Sequence, residues 1–78
     1  MVKRKKAIHK ESMHQMLLSH AKAKKAKAEL TLQLMCNLPA GIGDHSTDDF
    51  YNNAIEAMES LTDANDQLET IHNYFSND

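Results

Sequence analysis

The chain's two Gly and single Pro fall together at Pro39, Gly41 and Gly43, and no other residue of either type interrupts the 78-residue sequence. A polypeptide with one interruption can turn back once. The segments on either side are rich in Ala, Leu, Met, Lys, Glu and Gln, which are strong helix formers. These observations predict an all-α protein, an antiparallel two-helix hairpin. The loop, residues 38–46, reads Leu-Pro-Ala-Gly-Ile-Gly-Asp-His-Ser. Pro39 pushes the residue before it out of helical space, and the two glycines permit positive φ. Ile42 between them is expected to plug the end of the bundle. Ser46 is placed to cap the second helix, with Asp48 and Asp49 near the positive end of its dipole.

The upstream boundary rests on Ser12, an N-cap candidate with Gln15 three residues later, as a capping box requires. The expected organisation is therefore a flexible basic arm at 1–11 followed by the hairpin over 12–78. Its first helix runs about 13–37 and its second about 47–75. Leu30-Thr31-Leu32-Gln33-Leu34 alternates like a strand, but such a short run has no partner strand elsewhere in the chain.

On a helical wheel the second helix separates into two faces. Tyr51, Ala54, Met58, Leu61, Asn65, Leu68, His72 and Phe75 form an apolar stripe, widened by Phe50, Ala57, Ala64 and Ile71. Asp49, Glu56, Glu59, Asp63 and Asp66 lie opposite. The first helix has two apolar faces: Leu17, Ala21, Ala28, Leu32 and Met35 on one side, and Met16, Ala23, Ala26, Leu30 and Leu34 on the other. One neighbouring helix covers only one of them. A second copy would cover the rest, so a homodimer forming a four-helix bundle is expected, with the Met16–Leu34 face as the oligomer or partner interface. A chain this short also gains from such support, because below about 70–80 residues one core seldom supplies more than roughly 3–5 kcal/mol.

With the turn centred near 42–43, residue i lies opposite about 85 − i in an antiparallel hairpin. This sets His20 level with Asn65, and a hydrogen-bonded polar layer within the core is expected there. Cys36, the only cysteine, reads as a small buried hydrophobe, and Met13, Met16, Met35 and Met58 as core filler. A lone thiol fits a reducing cytosol. No apolar signal segment follows the basic start, and no stretch approaches a membrane span, so a cytoplasmic location without membrane contact is expected.

The net charge of −2 conceals a division. Residues 1–39 hold all nine Lys and Arg against Glu11 and Glu29, while 40–78 hold nine Asp and Glu and no Lys or Arg. The two halves can neutralise each other in the hairpin. The basic start, with Lys3, Arg4, Lys5, Lys6 and Lys10, can also neutralise phosphates without reading sequence. No aromatic residue lies in 1–49 to stack on bases. The acidic face could dock a basic partner. No phosphate-binding loop or nucleophile triad is present, and no His-x3-His pair occurs among the five histidines. Glu69 and His72 have the spacing of a di-iron half-site, but the register leaves Glu29 about 20 Å away along the helix axis. No catalytic residue, metal or cofactor is expected.

The loop at 38–46, the run Asp63-Ala64-Asn65-Asp66-Gln67-Leu68-Glu69-Thr70-Ile71 and the Tyr74-Phe75 end resemble small helical accessory proteins of T-even-like tailed phages. The resemblance covers about residues 38–75. It implies a virus-encoded protein working in the host cell cytoplasm, and it supplies no catalytic residues. The functional expectation is a non-enzymatic accessory or adaptor protein that binds a host or viral macromolecule through helical surfaces. The alternative is nonspecific nucleic-acid binding through the basic arm.

Overall fold

A computed structural model describes residues 2–37 and 47–76, with side chains over 9–37 and 48–76. The described residues form two helices, α1 (Val2–Cys36) and α2 (Thr47–Ser76). Lys24 meets Asp63 and His14 meets Phe75, so the helices run antiparallel. The molecule measures 62 × 17 × 17 Å, the shape of a hairpin two helices wide. Loop features at 38–46, including the Ile42 plug and the Ser46 cap, lie outside the described residues.

The expected start of the first helix near residue 13 is corrected. Helical backbone reaches back to Val2. Residues 2–11 contain Lys, Arg, Ala and Glu and no Gly or Pro, so nothing in them halts the helix. Ser12 is an interior helical residue on the solvent side, and its capping potential goes unused. The other end agrees closely with the sequence: α1 stops at Cys36, and the Asn37 amide donates to the carbonyls of both Gln33 and Leu34 at 3.2 Å. Such a shared bond tightens the last turn. The strand-like run at 30–34 is helical. Thr31 settles there by donating its hydroxyl to the Lys27 carbonyl at 2.9 Å.

The core is a line of small residues. Ala21 and Ala64 are wholly buried (0% exposed), and Ala28, Ala57 and Ile71 are nearly so. On each helix these buried positions repeat every seventh residue, the period of a coiled-coil seam. The distance between packed helices depends on the side chains at the contact, and alanine methyls leave the least between the two backbones. The 85 − i register sets Ala21 level with Ala64 and Ala28 level with Ala57. Beside the seam, Leu18, Leu32, Leu61, Leu68 and Phe75 are half-buried. Among the described residues no large side chain is fully buried.

This seam revises the expected cores. On α2 the line Ala57, Ala64 and Ile71 is the buried one, whereas Tyr51, Met58, Asn65 and His72, each one position further on, are exposed. On α1, Met13 and Met16 are exposed, as is Cys36, which falls one position past the line through Met35. A step of one residue turns about 100° around a helix, enough to carry a side chain from seam to solvent.

Candidate functional site

The seam sorts every other residue onto one of two sides. Lys24 lies three positions after Ala21, and Asp63 one position before Ala64. Their ion pair, 3.6 Å between Nζ and Oδ2, shows which flank of α1 shares a side with which flank of α2. Helical periodicity places Leu17, His20 and Lys27 on the Lys24 side, together with Asp49, Glu56 and Asp63 of α2. The other side carries Leu18, Lys25 and Leu32 of α1 with Leu61, Leu68, Met58 and Asn65 of α2. The pair also realises part of the expected neutralisation between halves. Asp63 is largely in water, so the pair contributes only a few tenths of a kcal/mol.

This sidedness corrects the expected His20–Asn65 layer. The two residues are level along the hairpin, but His20 precedes its seam alanine and Asn65 follows its own. They emerge on opposite sides, and both are exposed.

The second apolar face of α1 is uncovered within the hairpin. Met16, Leu30 (56% exposed) and Leu34 (59%) stand in solvent with Ala23 and Ala26, and Met13 borders them. They point away from α2, tilted toward the Lys24 side. A smaller apolar patch, Tyr51, Ile55 and Met58, lies on the outer surface of α2. It tilts toward the opposite side, so the two patches face away from each other. Sequence periodicity placed Tyr51 and Met58 inside and did not single out Ile55. The sevenfold spacing of Ala57 and Ala64, set against Ala21 and Ala28, was the signal that could have located the seam and exposed this patch.

The carboxylates of Asp49, Glu56, Glu59, Asp63 and Asp66 are all exposed, forming an acidic ridge along α2. At the open end of the hairpin His14 stacks on Phe75, with ring centroids 4.4 Å apart and planes 11° from parallel, and Tyr74 meets Phe75 edge-on. The first of these contacts bridges α1 and α2, and the second lies within α2. Lys10, Glu11, His14 and Phe75 line a shallow depression of about 220 Å³ beside the stack. Because α2 ends at Ser76, just past Phe75, the first turns of α1 run on beyond it. Lys3, Arg4, Lys5 and Lys6 belong to this overhanging helical segment, while Lys10 lies level with Phe75.

Among the described residues, no three His, Cys, Asp or Glu side chains gather as metal ligands, and no helix is long and apolar enough to cross a membrane. No family model, curated protein or solved structure matches the chain.

Proposed function

We propose that this chain is a non-enzymatic adaptor that works by helix-to-helix association, its uncovered α1 face packing on a helix of a second copy and its remaining surface presented to a host or viral macromolecule. One observation carries the reading: the face formed by Met16, Ala23, Ala26, Leu30 and Leu34 is exposed, while among the described residues the hairpin's own seam buries only alanines and Ile71. Soluble monomers rarely leave a contiguous apolar strip of this extent uncovered. The likeness of residues 38–75 to accessory proteins of T-even-like phages supports placing that activity in the cytoplasm of an infected cell.

The test is mass against concentration by analytical ultracentrifugation. The wild-type chain gains mass with concentration, and a Leu30→Glu, Leu34→Glu double variant stays at one copy. A wild-type chain that remains a single copy at high micromolar concentration overturns self-association.

A second reading is favoured by the overhang. The helical backbone that carries Lys3, Arg4, Lys5 and Lys6 extends past the level of Ser76, and those residues are suited to neutralising phosphates along a nucleic acid. Binding to a random duplex would then fall steeply with salt and vanish on removal of residues 1–10. Affinity unchanged by that deletion sinks the nucleic-acid reading and leaves the adaptor untouched.

A further inference from the structure

The two exposed apolar patches differ in residues and charge, and they lie on opposite outer surfaces of the hairpin. We propose that copies associate unlike to unlike: the outer stripe of α1 on one copy receives the Tyr51, Ile55 and Met58 patch of α2 on the next. This rests on the self-association reading and specifies which surface of the second copy is used.

Charge selects the pairing. All nine Lys and Arg lie in 1–39, and α2 carries seven Asp and Glu and no Lys or Arg. Stacking α1 on a second α1 brings Lys27 toward its counterpart, and stacking α2 on α2 juxtaposes acidic surfaces. Like charges brought together oppose association, whereas α1 against α2 is complementary. Length agrees as well. The α2 patch is only about two turns long and lies toward the loop end, as do Leu30 and Leu34. An antiparallel contact in the hairpin's own register lays Leu34 on Tyr51 and Leu30 on Ile55. Lys27 comes beside Glu59, repeating the internal relation of Lys24 to Asp63. Lys27 and Glu59 are both exposed, and among the described residues neither side chain has an ion-pair partner.

The geometry does not close. An α1-to-α2 contact in this sense keeps neighbouring copies in the same orientation, leaving one α1 stripe and one α2 patch free at the ends. Contacts of this heterologous kind extend unless a rotation brings the ends together. Helix pairs then stack side by side, as in a solenoid built from separate chains.

Two blocked variants test this: Leu30→Glu with Leu34→Glu on the α1 stripe, and Ile55→Glu with Met58→Glu on the α2 patch. Circular dichroism first establishes that each retains the wild-type helix content; the substituted positions are exposed, so the seam is untouched. Wild-type mass is expected to grow beyond two copies with concentration. Each variant alone stays at one copy, and a mixture of the two forms a one-to-one pair and stops there, because only one intact stripe and one intact patch remain. A wild-type assembly that halts at two copies and ignores the α2 substitutions overturns the unlike pairing but leaves self-association standing. A wild-type chain that never associates overturns both. As a second arm, Lys27→Glu and Glu59→Lys each weaken association at low salt by about fivefold, and the double swap restores it. Failure of the double swap to recover affinity removes the register.

Discussion

Replacing Ile71 with Ala tests whether the narrow seam holds the hairpin together. Ile71 is the one bulky member of the buried line, at 8% exposed. The substitution removes about three carbons from a site almost out of water, a loss of roughly 2.4 kcal/mol at about 0.8 kcal/mol each. Alanine's better helix propensity returns about 0.4 kcal/mol. The position lies near the open end, where neighbours can settle into the vacated space, so no large cavity penalty is added. The net cost is about 2 kcal/mol, a major part of the roughly 3–5 kcal/mol available to a chain of this size. Each kcal/mol lowers Tm by about 4–8 °C in a domain of 60–100 residues, so melting should fall by about 8–16 °C. The assay is circular dichroism at 222 nm on dilute protein, at a concentration where sedimentation shows one copy. Leu30→Ala is the control. Leu30 is 56% exposed, so removing similar carbons costs less than about 1 kcal/mol under those conditions. Equal losses for the two variants, or an Ile71 variant as stable as the parent, would mean that the seam does not carry the fold.

Other substitutions probe the same geometry. Ala64→Leu forces extra volume into a wholly buried position and should cost about 1–3 kcal/mol in urea unfolding; Ala26→Leu on the exposed face should stay within about 0.5 kcal/mol at the same dilution. If Ala64→Leu stabilises the single copy, the helices are not in close approach at that level. Asn65→Leu should change monomer stability by no more than about 0.5 kcal/mol, since Asn65 is exposed and has no part in the seam; a loss beyond 1 kcal/mol in dilute protein would place it back in the core.

Much of the architecture was legible because it depends on local rules. Pro39, Gly41 and Gly43 supply the only break, and the run from 47 onward is amphipathic enough to mark α2 nearly to the residue. The second apolar face of α1 could be read because Leu30 and Leu34 cannot share a helix side with Ala21 and Ala28. The errors arose where local rules permit two answers. Ser12 followed by Gln15 reads as a cap, yet a cap acts only where a helix starts, and nothing before Ser12 stops one. The α2 stripe was about 160° wide at about 100° per residue, and hydropathy favoured Tyr51, Met58 and Leu61 over the alanines as its centre. Hydropathy ranks side chains by their aversion to water, whereas close helix packing favours small ones. His20 and Asn65 share a level but not a side, and the 85 − i register contains no information about side.

Taken alone, the residue order determined that this chain is helical, turns back once, separates its charges between its two arms and leaves one arm apolar on both flanks. Those properties follow from backbone propensity and from each residue's position around a helix. Only the packed structure decided which line of residues becomes the seam, and with it which apolar side chains stay in water. That choice depends on how closely two backbones approach, a property of the pair of helices that neither strand of sequence contains by itself.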